Sequence, residues 1–126
     1  MSNELACKHV PKDFALPKNN RVLFPSIELT TVPGTPEARA EIEKAVVHLH
    51  QLILGKVDAP QSDDVQRTVR LFESIVVDSR EHPGLEQREI WSCRQGEAIA
   101  DDPNYTLRAW RAVVTYLLRR PEFLYE

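Results

Sequence analysis

The sequence predicts an all-α protein, an antiparallel bundle of about four helices with a proline-rich extended N-terminal arm. Apolar residues recur at helical spacing in long segments, and residues typical of helix starts and stops stand at the segment ends. The connections between these segments are short, which favours antiparallel neighbours. At 126 residues the chain fits one domain. We expect residues 1–34 to form the arm and residues 35–126 the helical domain.

The segment 102–126 carries the clearest helix signal. Asp102 precedes Pro103, and this pair is typical of a helix start because the carboxylate accepts unpaired amide protons and proline has none to offer. Pro121 disfavours helical geometry in the residue before it, so the helix should run about five turns and end there. The residues at helical spacing that should face the core are Leu107, Trp110, Val114 and Leu117.

Three large apolar side chains follow that predicted end, and so much apolar surface is costly to leave in water. We expect the tail to fold back on the core or to dock on another molecule. The candidate interaction surface comprises Phe123, Leu124 and Tyr125 together with Arg111 and Arg119.

Four arginines give the last helix a basic side: Arg108, Arg111, Arg119 and Arg120. Such a side can dock an acidic partner or a phosphate. More often it is solvated and paired with neighbouring acidic residues, and that is what we expect here.

Two further helices are predicted by the same signals. Thr35 before Pro36 starts one that stops at Gly55, and after the linker KVDAPQ, Ser62 caps another that ends near Arg80. The apolar positions expected to face inward are Ile42, Ala45, Val46, Leu49 and Ile53 in the first, and Val65, Val69, Phe72 and Val76 in the second.

A shorter helix is expected from about Leu85, with Ile90, Trp91 and Cys93 facing inward. Residues 1–34, by contrast, contain four prolines, which makes an uninterrupted helix improbable. We expect this arm to run extended and to be held on the domain by its apolar side chains between residues 22 and 29.

Charge and hydropathy exclude two classes of partner. Sixteen basic and nineteen acidic residues are intermixed, with a net charge of −3, so no basic stripe is available to neutralise a nucleic-acid backbone. No apolar run approaches the roughly 20 residues that span a bilayer, and the first residues lack the apolar segment of a signal peptide. We expect a soluble chain, cytoplasmic if it is complete and periplasmic or exported if it is a fragment of a larger protein.

The chain has two cysteines, Cys7 and Cys93, which is compatible with one bridge or with two free thiols. We expect that they are not obligatorily bridged, that Cys93 is a small buried apolar residue, and that Cys7 is mobile or lies at the surface.

Metal and catalytic motifs are absent from the sequence. His48 and His50 are two residues apart, which turns them about 200° from each other on a helix, so one helix cannot aim both at one ion. The aspartate pairs 63–64 and 101–102 are explained by capping at helix starts. No Gly-rich phosphate loop, Gly-x-Ser-x-Gly or Cys-x-x-Cys-His run occurs. We assign no catalytic, cofactor or metal-binding residue.

Two pieces, HLHQLILGK at residues 48–56 and RAWRAVVTYLLRRPEFLYE at residues 108–126, resemble a helical segment of large exported bacterial proteins of unknown function. Those proteins are often associated with cytochrome c modules. The resemblance implies that the chain is a fragment or small relative of an exported multidomain protein, and it transfers no active-site residue.

The expected function is therefore a non-enzymatic helical module that packs against another domain or a protein partner, with no cofactor and with its oligomeric state left open. The alternative is a small metal-binding or enzymatic domain. Its site would form by convergence of Cys93, His48 or His50 with carboxylates.

Overall fold

A computed structural model describes residues 2–82 and 102–124, with side chains over 4–82 and 102–122. Its helices are α1 (Ser2–Ala15), α2 (Pro36–Leu49), α3 (Asp63–Glu81), α4 (Thr106–Leu118) and the short α5 (Pro121–Leu124). A 3₁₀ turn lies at Lys18–Asn20, and a π-helical turn, His50–Leu54, continues α2. Within these two ranges no strand occurs, so the predicted all-α bundle is confirmed. The short helix expected near Leu85 lies outside the described residues.

The centre of the bundle is α4, which packs against α1, α3, the π turn and α5. Its Trp110 is fully buried. The Trp110 ring lies 4.2 Å from that of Phe72 on α3 and 5.2 Å from that of Phe24, which stacks in turn on Phe14 at 4.3 Å between centroids. These four rings join α4 to α3, to α1 and to the segment between α1 and α2.

The first helix corrects the prediction of an extended arm. Pro11 lies inside α1, where it removes one backbone hydrogen bond and costs about 3 kcal/mol relative to alanine. Ala6, Val10 and Phe14, however, recur at intervals of four residues and are all buried. Burial of each large apolar side chain contributes about 1.5–3 kcal/mol, which offsets the proline. Proline content was therefore a poorer guide to this segment than the apolar spacing.

Residues 16–34 contain only the 3₁₀ turn. Phe24 and Ile27 are buried and hold this segment on the domain. A second anchor comes from Asp13 of α1, whose buried carboxylate accepts hydrogen bonds from the backbone amides of Val22 at 2.9 Å and Phe24 at 2.8 Å. The arm is thus held against the domain by burial of Phe24 and Ile27 and by the hydrogen bonds that the Asp13 carboxylate accepts from two of its amides.

The starts and stops predicted for α2 and α3 are confirmed. Thr35 accepts a hydrogen bond from the Ala38 amide at 3.1 Å, and Ser62 accepts one from the Val65 amide at 3.3 Å. Gly55 ends the π turn with φ 70°, a left-handed conformation that glycine adopts at little cost. The inward positions are buried as predicted: Ile42, Ala45, Val46, Leu49, Ile53, Val65, Val69, Phe72 and Val76.

The start of α4 lies later than predicted. The helix begins at Thr106, after Tyr105 in a left-handed conformation with φ 61°. Asp102 still caps it, because its carboxylate accepts from the amides of Leu107 at 3.0 Å and Arg108 at 2.9 Å across the intervening turn. The predicted exit before Pro121 is confirmed, since α4 ends at Leu118 and Arg120 is not helical. Pro121 then begins α5, a helix that the sequence did not predict.

Cys7 corrects another expectation. It lies half-buried on α1 and is disulfide-bonded, whereas we expected a mobile or surface residue with no obligatory bridge. The chain's other cysteine, Cys93, lies outside the described residues. A sequence does not reveal which cysteines the fold brings within bonding distance, and this is why the expectation failed.

None of the described helices is both long enough and apolar enough to cross a membrane.

Replacing Asp13 with alanine should destabilise the protein by about 2–4 kcal/mol, because two amides near the core lose a charged acceptor. Urea unfolding measures the change. Lys12→Ala is the matched control, since Lys12 is the exposed neighbour on the same helix and should change stability by less than about 0.5 kcal/mol. Equal stability of the Asp13 variant and wild type would contradict the anchoring role.

Candidate functional site

A buried cluster of polar side chains surrounds His50, at the first position of the π turn. The ring is fully buried. Its Nδ1 lies 3.1 Å from Asp58 Oδ2 and 3.9 Å from Asp64 Oδ2, and its Nε2 lies 2.9 Å from Thr68 Oγ1. A π turn inserts one extra residue into a helix and is frequent at functional sites. It leaves His50 directed at α3 and at the linker before it.

The hydroxyl of Thr68 can serve this ring in either protonation state. Thr68 Oγ1 also lies 3.3 Å from the backbone oxygen of Asp64. A neutral ring that donates from Nδ1 to Asp58 accepts at Nε2 from the Thr68 hydroxyl. A charged ring donates from both nitrogens, and the hydroxyl then donates to the Asp64 oxygen. Each buried polar atom keeps a partner in both cases.

The order Thr68, His50, Asp58 resembles a nucleophile, base and orienting carboxylate. Catalysis by such a set requires that the hydroxyl reach a substrate. Thr68 and His50 are both fully buried, so no substrate atom can approach the hydroxyl in this conformation. The arrangement is that of a satisfied polar group inside the fold.

A second set of charges lies beside it, which we call the C-terminal ion cluster: Lys56, Asp64, Arg120 and Glu122. Arg120 donates to both oxygens of Asp64, at 2.9 and 3.2 Å, and to Glu122. Lys56 Nζ lies 3.1 Å from Asp64 Oδ2 and 3.5 Å from Glu122 Oε2. Two cations and two anions therefore balance one another where the chain end meets the start of α3.

Hydrogen bonding within the cluster holds all four groups in their charged forms. The bonds from Arg120 lower the pKa of Asp64 to about 2, with further help from Lys56. Arg120 also lowers the pKa of Glu122 to about 2, followed by a backbone hydrogen bond. The same bonds raise the pKa of Arg120, with Asp64 contributing most, and the bond to Asp64 raises the pKa of Lys56.

His50, Asp58 and Asp64 could together hold a metal ion, because one ligand atom from each lies within 4.8 Å of the others. One imidazole and two carboxylates suit Zn²⁺ or Mn²⁺. Asp64, however, already accepts two hydrogen bonds from Arg120 and one from Lys56. An incoming cation would have to displace these two positive charges. The three ligand atoms therefore lie close enough together to bind a metal ion, but Lys56 and Arg120 compete with that ion for Asp64.

Only part of the alternative set named from the sequence converges. His50 meets two carboxylates, whereas His48 Nε2 lies 2.7 Å from the backbone oxygen of Val22, a different neighbourhood. Cys93 lies outside the described residues. Sequence reasoning missed Asp58, Thr68 and Lys56 as neighbours of His50, because their separations along the chain match no known motif.

The predicted interaction surface is described only in part. Arg119 is exposed, but Arg111 is buried in α4. Arg108 is buried as well, so the expected solvated basic side is wrong for these two arginines. The side chains of Phe123 and Leu124, like all of Tyr125, lie outside the described residues. The backbone of α5 packs against α4 and the π turn.

Comparison of the chain with protein-family models, with curated proteins and with solved structures gives no significant match. The site therefore rests on its own geometry.

Because of the C-terminal ion cluster, the free energy of unfolding should depend on pH in the acidic range. Because the pKa values of Asp64 and Glu122 are lowered from 3.8 and 4.5 to about 2, their contribution is present above about pH 4.5. It should be lost as the pH falls from there towards 2. The groups that lie within 4 Å of the Asp64 carboxylate are Arg120, Lys56, Arg67 and His50. Those within 4 Å of the Glu122 carboxylate are Arg120 and Lys56.

The variant Arg120→Gln should lose about 1–2 kcal/mol of stability at pH 7, since the fork onto Asp64 is bidentate but partly solvated. Its free energy of unfolding, measured with urea, should also fall less steeply than that of wild type between pH 4.5 and 2.5. Arg70→Gln, at an exposed position on α3, is the control and should follow wild type. Parallel acid profiles for Arg120→Gln and wild type would contradict the role of the cluster.

Proposed function

We propose that this chain is a non-enzymatic helical module that packs against a neighbouring domain or a partner protein, as part of a larger exported bacterial protein. The observation that carries the proposal is the complete burial of both His50 and Thr68. Thr68, His50 and Asp58, which stand in the order of a catalytic triad, use their polar atoms for internal hydrogen bonds.

The charges next to His50 support the same function. Asp64 and Glu122 are each paired with both Lys56 and Arg120. A catalytic site instead tends to hold titratable groups whose charge changes near neutral pH. The pKa shifts here act in the opposite direction, since the two carboxylates are held ionised and the two cations protonated. Such a balanced network joins segments of the chain.

Export is supported by Cys7, which is disulfide-bonded. Disulfides form and persist in oxidising compartments and are rare in the cytosol. The resemblance of residues 48–56 and 108–126 to exported bacterial proteins leads to the same compartment.

The interaction surface that we propose is the chain end: Phe123, Leu124 and Tyr125, with Arg119 as its exposed basic member. Arg111 no longer belongs to it, because that side chain is buried in α4.

The triple variant Phe123→Ser, Leu124→Ser, Tyr125→Ser tests this surface while it retains Arg120 and Glu122. If the tail docks on a partner or a second copy, the variant should unfold in urea at the wild-type midpoint but lose association. Light scattering measures self-association of the chain alone. A loss of several kcal/mol in a monomer would place the tail in the chain's own core instead, because each large apolar side chain contributes about 1.5–3 kcal/mol on burial. No change in either property would rule out both the internal dock and self-association through this surface.

A divalent-cation site is the second candidate function, favoured by the convergence of His50, Asp58 and Asp64 within 4.8 Å. An imidazole and two carboxylates would bind the ion, and Lys56 and Arg120 would compete with it for Asp64.

Elemental analysis of protein purified without chelator distinguishes the two functions. Because Lys56 and Arg120 already neutralise Asp64, we expect substantially less than one equivalent of any transition metal. A stoichiometric ion that is lost in His50→Ala and in Asp58→Asn, but retained in His48→Ala, would establish the metal site. His48 is the matched control because it lies two residues away and contacts Val22 instead. Circular dichroism checks that each variant is folded.

A further inference from the structure

The end of the π turn places Lys56 beside the ring of His50. Gly55 ends the turn, and the backbone amide of Lys56 donates to the backbone oxygen of His50 at 3.4 Å. The Lys56 side chain extends to Asp64, where its Nζ lies 3.1 Å from Oδ2. The hydrogen bond to Asp64 raises the pKa of Lys56, and the charge of Asp58 contributes further. A positive charge therefore lies beside the two carboxylates that surround the ring.

One oxygen of Asp64 is the atom for which these cations and a metal ion would compete. Oδ2 lies 3.9 Å from His50 Nδ1. It also accepts hydrogen bonds from Lys56 Nζ at 3.1 Å and from Arg120 Nη2 at 3.2 Å. A carboxylate oxygen has about two lone pairs, and these two bonds use both. The other oxygen, Oδ1, accepts from Arg120 at 2.9 Å and lies 3.8 Å from Arg67. A metal ion therefore reaches Oδ2 only when one of the two bonds there is broken.

The other two ligands are suited to a zinc ion. With bonds of about 2.0–2.2 Å, neighbouring ligand atoms of a tetrahedral zinc site lie roughly 3.3–3.6 Å apart. His50 Nδ1 and Asp58 Oδ2 are separated by 3.1 Å, close to that spacing. A metal-binding histidine usually donates its other ring N–H to an oxygen, and Thr68 Oγ1 lies 2.9 Å from Nε2 to accept it. Zinc also binds such ligands more tightly than manganese does.

The two carboxylates are open to solvent on one side. The side chain of Asp58 is 20% exposed and that of Asp64 is 18% exposed, whereas His50 is fully buried. An ion can thus approach the carboxylates directly and meet the ring behind them. Access does not limit binding, and the pairing of Asp64 does.

We infer that the ion pairs of Asp64 regulate a zinc site on the same carboxylate. While Lys56 and Arg120 are both bonded to Asp64, zinc binds weakly, and loss of either bond opens the site. The ligands of the open site are His50, Asp58 and Asp64. This inference rests on the second candidate function, the divalent-cation site, and names what controls it. Because linkage between binding events is reciprocal, zinc weakens the two ion pairs by the same factor by which they weaken zinc binding.

Calorimetric titration of the chain with Zn²⁺ at pH 7 measures this control. Arg120→Gln and Lys56→Met each remove one positive charge from Asp64 Oδ2. Each should lower the zinc dissociation constant by about 10-fold or more, because a charged hydrogen bond that competes with the ion is lost. Arg119→Gln is the matched control, since it removes the same charge from the exposed neighbour of Arg120. It should bind zinc within about 2-fold of wild type.

A second substitution in the Arg120→Gln background identifies the ligands. Asp58→Asn should abolish the tighter binding, because it removes a ligand carboxylate. His48→Ala should retain it, because His48 contacts the backbone of Val22 instead. Circular dichroism checks that each variant is folded.

Two results would overturn the inference, and they differ in what they leave standing. If zinc binding that Asp58→Asn removes is equally tight in wild type, Arg120→Gln and Lys56→Met, the cation site exists but the ion pairs do not control it. If no variant binds zinc in a way that Asp58→Asn removes, the cation site itself is refuted together with its control.

Discussion

Burial of Trp110 at the middle of α4 is the interaction on which the rest of the structure depends. Its ring contacts those of Phe72 and Phe24, and the latter stacks on Phe14, so one aromatic chain links most of the described elements. The indole Nε1 has no hydrogen-bond acceptor among the described residues, a cost of about 1–3 kcal/mol. The apolar area that Trp110 buries exceeds that cost.

This central burial explains why α1 is helical in spite of Pro11. A helix that packs on α4 delivers Phe14 and Val10 to the core, and it also carries Asp13 to the amides of the following arm. Asp102 acts similarly before α4, with one carboxylate serving two amides. In both places a charged acceptor satisfies backbone groups that regular hydrogen bonding leaves unpaired, and this lets irregular chain lie close to the core.

The polar groups follow a comparable logic. The π turn directs His50 at Thr68 and Asp58, where burial is acceptable because both ring nitrogens have partners. The neighbouring cluster keeps its four charges only partly exposed, where two cations and two carboxylates neutralise one another. Buried partners stabilise the junction of α2 and α3, and the ion cluster joins the C-terminal segment to the start of α3.

By itself, the sequence determined the helical class, the limits of α3, the start of α2 and the inward residues of both helices. These features depend on local rules, the 3.6-residue period and the capping of free amides by Thr35 and Ser62, which act over a few residues. Only the tertiary structure decided that α1 forms across Pro11, that Cys7 is bridged, that Arg108 and Arg111 are buried, and that His50 meets Asp58 and Thr68. Each of these depends on contacts between segments that are far apart in the chain and are brought together by packing around Trp110. Such contacts do not produce a sequence pattern with a fixed spacing, so the sequence alone could not predict them.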